Sequence, residues 1–397
     1  MKTNAVKLCD VCEVSDGTHY TPQNTGGPFP FLTVKDMTDE GLSFSGCSYV
    51  SAVEFEKAKK AGACPEPGVV LFSKDGTVGK VHVVRHDRPF AALSSIALLR
   101  PDKSQVDSDY LGFAMRSPAI LKDAVNRKTG SALQRIILAD LKEVSVPLPN
   151  LSEQRRIVGE LERADGLRRI RRYALELADT FHPAAFLQLF GDPGTNPKDF
   201  PLEQVESVFS EKRDGVKCGP FGSALKKHEY VSGGIPVWTV DCIGKNEFFA
   251  ENCLYITPAK YEELRAYSAE NNDILVSRAG TVGRMAIVQT KYPQSIIHSN
   301  VIRLSLNPAK CQPVFFVTLM THFASRVGRL KRGQEDAYSF MNTSTLGELQ
   351  IPLPPPELQT RFVELVERHE RLRSVQRESL RQAEHLFQSL LHQAFTL

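Results

Sequence analysis

Few residues in this chain stand at spacings that chemistry requires. Cys9-Asp10-Val11-Cys12 has the separation of half a zinc site, but a structural zinc takes four ligands, commonly as two such pairs. The remaining cysteines, at 47, 64, 218, 242, 253 and 311, supply no second pair. They read as reduced thiols of a cytosolic protein. The histidines are dispersed and no Ser/His/Asp set emerges, so neither a metal site nor a catalytic set is assigned. Gly76-Thr77-Val78-Gly79-Lys80-Val81 has two residues between its glycines where a phosphate loop has four, and Val where Ser or Thr would bind magnesium. A hairpin turn accounts for it better. Pro354-Pro355-Pro356-Glu357 lacks both flanks of an amino-methyltransferase motif, and Glu54-Phe55-Glu56-Lys57 lacks the acidic partner of a nuclease site. The chain is expected to do no chemistry alone.

What it does carry is cations beside short hydrogen-bonding side chains, the combination that holds phosphates and reads base edges. Lys74 and Lys80 flank one glycine-rich turn with Thr77 inside it; Arg278 and Arg284 flank a second with Thr281 inside it. Glycine in such a turn lets backbone N–H groups approach a phosphate. A further cluster includes Arg127, Lys128, Gln134 and Arg135, and its counterpart Lys331, Arg332 and Gln334. Arg and Gln there are suited to bidentate contacts with guanine and adenine. A solvated hairpin with ordinary surface charge is the competing reading of the turns. Net charge is only +3, from 49 basic and 46 acidic residues, so any basic surface must be local.

The elements that position these residues occur twice. Ser73-Lys74-Asp75-Gly76-Thr77-Val78-Gly79-Lys80 matches Ser277-Arg278-Ala279-Gly280-Thr281-Val282-Gly283-Arg284, 204 residues on. Phe31-Leu32-Thr33-Val34 answers Val237-Trp238-Thr239-Val240. Val146-Pro147-Leu148-Pro149 answers Ile351-Pro352-Leu353-Pro354, and Gln154-Arg155-Arg156-Ile157-Val158 answers Gln359-Thr360-Arg361-Phe362-Val363. Matches in one order at nearly one offset mean that about half the chain is duplicated. In each copy, strands (Val69–Phe72 with Val81–Val84; Ile274–Val276 with Met285–Val288) flank the turn. A Pro-Leu-Pro breaker follows, and then a long helix.

The first helix is expected to start near Ser152 as N-cap, to bend or resume after Pro183, and to stop at Gly191 and Asp192-Pro193. The second spans about Glu357 to Phe395, with Leu365, Leu372 and Leu386 at heptad spacing. Two antiparallel coiled-coil helices are expected, rather than helices packed only on their own domains. A helix of ~38 residues is ~57 Å long, too long to hide against one domain. The expected architecture is α+β with a pseudo-two-fold repeat, two α/β domains separated by the antiparallel coiled-coil pair: a first domain at 1–150, a central spacer helix at 151–191, a second domain at 192–355 and a C-terminal spacer helix at 356–397. No apolar run reaches the ~18–20 residues of a membrane helix, so a cytoplasmic protein is expected.

Several stretches resemble the specificity (S) subunit of type I restriction–modification systems, and the related two-repeat specificity subunits of type IIB-like systems. Pro147 to Val158 is similar to the family's entry into its central helix. Phe186 to Pro193, followed by Thr195-Asn196-Pro197-Lys198, is similar to the exit into the second target-recognition domain. Gly219-Pro220-Phe221-Gly222-Ser223, Gly233 to Trp238, Asp16 to Pro22 and Leu386 to Phe395 resemble other family stretches. The Glu-Gln pair of the first helix start is split in Pro356-Glu357-Leu358-Gln359-Thr360, a departure bearing on capping. The resemblance implies that each domain reads one half of a split DNA site. The helices would set the spacing and dock two methyltransferase (M) subunits, with motor-nuclease (R) subunits as further partners. S-adenosylmethionine, ATP and magnesium would belong to those partners. The alternative in another class is a helical scaffold for protein assembly.

Overall fold

Val70, Leu71, Phe72 and Ser73 are all buried, as the central strand of a sheet covered on both faces must be. In the computed structural model, which describes residues 5–126, 135–221, 224–244, 247–278, 283–327 and 343–396, this strand is Val70–Ser73. It belongs to an antiparallel four-stranded sheet in the order Cys12–Asp16, Ile96–Pro101, Val70–Ser73, Val81–Val83. Side chains alternate across it. Val70, Phe72, Ala97 and Leu99 join the core under the helix Ser108–Arg116, while Leu71 and Leu98 join a second core with Leu32, Met37 and Phe90. Asp107 caps that helix, its carboxylate accepting from the amides of Asp109 and Tyr110 at 2.9 and 3.1 Å.

The second copy repeats the arrangement strand for strand. Its sheet runs Val216–Cys218, Val301–Leu304, Ile274–Ser277, Met285–Ile287. Each copy also has a three-stranded sheet with one antiparallel and one parallel pairing. In the first copy Phe29–Leu32 lies between Ser48–Val50 and Ala91–Ala92; in the second Ile235–Trp238 lies between Leu254–Ile256 and Ile296–Ile297. Thr33 and Thr239 end these central strands alike, each hydroxyl accepting from the amide two residues on.

By its contacts the chain divides into two units, Met1–Ala174 with Gln376–Leu397, and Leu175–Val375. Each long helical segment therefore contributes to both. The first helix is Leu151–Ala178, capped by Asn150, whose side chain accepts from the Glu153 amide at 2.9 Å. Ser152 lies inside the helix: Asn is as good a cap as Ser, and it stands where the helix actually begins. After a two-residue turn at Asp179 and Thr180 the helix resumes as Phe181–Phe190. Pro183 sits in the first turn of that second segment, where its missing N–H costs nothing, and it cannot continue the earlier helix through Asp179. The C-terminal helix is Pro356–Phe395, with proline at its first position.

Within each unit the two helical segments run antiparallel. In the first, the Arg168 guanidinium lies 4.3 Å from the centre of the Phe387 ring, Arg171 donates to Ser379, and Arg172 donates to Glu384 at 2.9 Å. Ile157, Leu161 and Ala164 share a core with Phe387, Leu391 and Phe395. In the second, Arg373 donates to Asp179, and Phe362 packs on Phe186 and Phe190 with ring centres 5.7 and 5.5 Å away. Each such buried aromatic stabilises by about 1.5–3 kcal/mol.

The heptad row is not the buried one. Leu372 is 58% exposed and Leu386 45%, whereas Ala383 on the adjoining row is 4% exposed. The first helix likewise exposes Leu167, Ile170, Tyr173 and Leu177. Residues three and four apart define several overlapping stripes, and the stripe that is buried is the one that meets the neighbouring aromatics.

Candidate nucleic-acid interface

The two glycine-rich turns are built by one hydrogen-bond pattern used twice. Ser73 N–H donates to the Lys80 carbonyl at 2.9 Å, and Gly79 N–H donates back to the Ser73 carbonyl at 3.0 Å. Ser277 with Arg284 and Gly283 with Ser277 repeat this at 2.9 Å each. The serine hydroxyls accept from the Lys80 and Arg284 amides at 2.7 and 3.0 Å. Gly79 and Gly283 have φ of +99° and +88°, a region that penalises any Cβ. Ser73 and Ser277 are buried, so they brace the turns from within instead of offering hydroxyls outward.

The cations proposed from sequence divide by environment. Lys74 is 7% exposed, with its ammonium 3.3 Å from Asp16 and 3.9 Å from Asp75. It therefore does not project a free charge as the flanking position suggested. Burial holds the Asp16 carboxyl above its usual range, with Lys74 pulling the other way. Lys80 is half-buried and donates to the Met37 carbonyl. Thr77 is exposed at the turn, and its carbonyl accepts from the Ser73 hydroxyl at 2.6 Å.

Arg135 is exposed and sits beside this turn. Its backbone bridges Asp75, and the Ile136 amide donates to the Lys74 carbonyl at 2.9 Å. The tertiary structure thus brings an end of the second sequence cluster onto the first. In the second unit Arg284 is exposed, while Arg278 is half-buried with its guanidinium 4.7 Å from the centre of the Phe221 ring. Arg127, Lys128, Gln134, Thr281, Lys331, Arg332 and Gln334 lie outside the described residues.

Two contributors went unrecognised as site residues in the sequence. Asp16 is separated by 58 residues from the lysine it neutralises, and Phe221, itself 57% exposed, by 57 from Arg278. The signal was present only indirectly, in the neighbouring glycines. A Cβ on Gly17 would lie 2.2 Å from the Ala92 carbonyl oxygen, and one on Gly219 would lie 2.0 Å from that of His298. Both glycines let these segments pass close under a strand end.

The chain is thus a doubled α+β unit, with matching polar turns and a pair of helical segments in each copy. The chain belongs to the type I restriction modification DNA specificity family, whose domain matches residues 2–174 and again 221–384. It is 24% identical over 405 residues to the MjaX type I restriction enzyme specificity subunit of Methanocaldococcus jannaschii, covering 95% of this chain and 89% of that one. It is 21% identical to the MjaVIII specificity subunit of the same organism over 74% of this chain and 70% of that one. The fold matches the S subunit of a type I system from M. genitalium with a TM-score of 0.58 at 15% identity, covering 100% of this chain and 97% of that one. It also matches a chain from a structural study of type I complex assembly with a TM-score of 0.62 at 17% identity, over 99% of this chain and 98% of that one. The chain is therefore a type I restriction–modification specificity subunit. Among the described residues no helix is long and apolar enough to cross a membrane.

Proposed function

We propose that each unit reads one half of a bipartite DNA site through the face carrying its glycine-rich turn, and that the subunit itself is non-catalytic. The observation that carries this reading is the meeting of Arg135 with the Lys74–Lys80 turn, which gathers an exposed guanidinium, an exposed Thr77 and backbone amides in one place. Arg127, Lys128, Gln134, Thr281, Lys331, Arg332 and Gln334 are proposed as further contacts on the same reasoning from sequence.

The paired helices act as a coiled-coil docking element for two methyltransferase subunits, with motor-nuclease subunits joining them in the cytoplasm. Support comes from exposed apolar side chains on the helices. Ile170, Tyr173 and Leu177 are 69%, 66% and 58% exposed, a stripe that a solitary chain has no reason to keep. S-adenosylmethionine, ATP and magnesium are assigned to those partners.

Methylome sequencing of cells that carry the chain with its cognate methyltransferase tests the reading directly. A split methylated motif is expected, and replacing residues 1–147 with another family member's first domain should change one half of it. A change in both halves, or a continuous motif, defeats independent reading.

A further inference from the structure

A set of metal-type donors gathers between the helices of the second unit. His182 lies in the segment Phe181–Phe190, and His369 and Glu370 lie in the C-terminal helix. His182 Nε2 is 2.9 Å from His369 Nδ1 and 3.4 Å from Glu370 Oε1. All three donor atoms fall within 4.8 Å of one another, and this is the one such triplet of His, Cys, Asp or Glu among the described residues.

We propose that His182, His369 and Glu370 bind one divalent ion of the zinc class, which ties the two helices together beside the break at Asp179 and Thr180. Zinc holds imidazole nitrogen at ~2.0–2.1 Å and carboxylate oxygen at ~2.0–2.2 Å, so neighbouring donors of a tetrahedral site lie ~3.3–3.4 Å apart. The His182–Glu370 separation already has that value. The two imidazoles need to open by about 0.4 Å, and the third separation, His369 to Glu370, which is up to 4.8 Å, must close to the same value, a change that side-chain rotation of Glu370 supplies. Two nitrogens at 2.9 Å without a metal must share a proton, one donating and one accepting. An ion in that position replaces the proton and uses both lone pairs.

The surroundings hold the donors in place. Arg373 donates to Glu370 Oε1, the same oxygen that faces His182, at 3.1 Å and also to Asp179; the contact orients the carboxylate and leaves that oxygen's second lone pair for the ion. The His369 ring is stacked on Phe181, with centres 4.4 Å apart and planes within 18°. Such outer contacts fix ligand orientation and tune affinity. Two imidazoles and one carboxylate suit zinc, and leave its fourth position for water or an incoming donor. The half-buried setting fits an ion that links helices at the protein surface.

The test uses the full chain after chelation and desalting. Zinc titration by calorimetry should show one equivalent bound, with a rise in melting temperature. Cobalt in place of zinc should give ligand-field bands without the thiolate charge-transfer absorption that a cysteine site produces. H182Q and H369Q should each weaken binding at least tenfold, with helical circular dichroism unchanged. The wild-type melting shift stands as a readout should a variant fail to fold. Absence of a zinc-dependent shift, a thiolate band, or equal affinity in the double variant H182Q/H369Q overturns the proposal.

Discussion

The side-chain oxygen of Gln154 accepts a hydrogen bond from the Asp107 amide at 2.8 Å, which fastens the first turn of the long helix to the N-cap of the helix Ser108–Arg116. Its amide group donates to the carbonyls of Gln105 and Pro149 at 2.9 and 2.8 Å. Gln359 repeats all three contacts in the second unit, accepting from Gln312 at 2.9 Å and donating to Lys310 and Pro354 at 3.1 and 2.8 Å. Both glutamines are 0% exposed. A glutamine is required because the site needs one acceptor and two donors.

Gln154→Ala should destabilise the first unit by about 2–4 kcal/mol, because one amide and two carbonyls lose their partner in a buried place. Gln154→Glu should be nearly as damaging, since an ionised carboxylate cannot donate to either carbonyl. Urea unfolding followed by a probe in the first unit measures this. A loss below about 0.5 kcal/mol would show that water replaces the amide.

The glycines of the first turn should differ in their tolerance. Gly76 has φ of +65° and nothing within 4 Å of a built Cβ, so Gly76→Ala should cost only about 1 kcal/mol. Gly79 has φ of +99°, and a Cβ there meets a Leu121 methyl at 2.5 Å, so Gly79→Ala should cost about 2–3 kcal/mol. Thermal melting of the pair gives the ranking, and the reverse order would disprove it.

Lys74 and Arg135 lie beside one turn but should respond to different assays. Lys74→Met strands Asp16 and should lower stability by roughly 2–3 kcal/mol, with little change in the salt dependence of duplex binding. Arg135→Ala and Arg284→Ala should leave melting within about 0.5 kcal/mol. Each should reduce the slope of log affinity against log salt by about one if it contacts a phosphate. Filter binding across a salt series, with the cognate methyltransferase present, separates the two roles.

Burial lowers the pKa of His82 from 6.5 to about 4, with Arg116 pushing the same way. The folded first unit therefore holds this imidazole neutral, and between pH 4 and 6.5 the unfolded chain binds the extra proton. Its contribution to stability is complete above pH 6.5 and is lost as pH falls toward 4. His82→Gln should flatten that part of the stability profile. A slope unchanged by the substitution would assign the acid sensitivity to other groups.

Arg303 is 1% exposed on a central strand, where the register of the first unit places Leu98. It donates to the carbonyls of Asp214, at 2.9 Å, and Ser268. Arg303→Leu copies the first unit yet should destabilise the second by about 1–3 kcal/mol, because the Asp214 carbonyl loses its donor, while the Ser268 carbonyl keeps only Arg213, at 2.6 Å. Equal or higher melting would mean that leucine packing outweighs those bonds.

The sequence by itself determined the duplication, the two glycine-rich turns with their flanking strands, and the outer ends of the helices to within a residue or two, but the second segment of the first helix resumes at Phe181, before Pro183 and not after it. These are local matters: strand runs, positive-φ glycines and prolines act on their own neighbours. Offsets between copies need no three-dimensional knowledge either. The tertiary structure decided which stripe of each long helix is buried, because the heptad leucines compete with adjoining rows and the nearby aromatics choose between them. It also decided that Lys74 is neutralised while Arg135 and Arg284 stay exposed, since the carboxylate responsible, Asp16, comes from a distant strand. The pairing of His182 with His369 spans 187 residues and follows only from the antiparallel packing of two helices. Charge and ligand chemistry depend on such through-space neighbours, and spacing along one chain does not encode them.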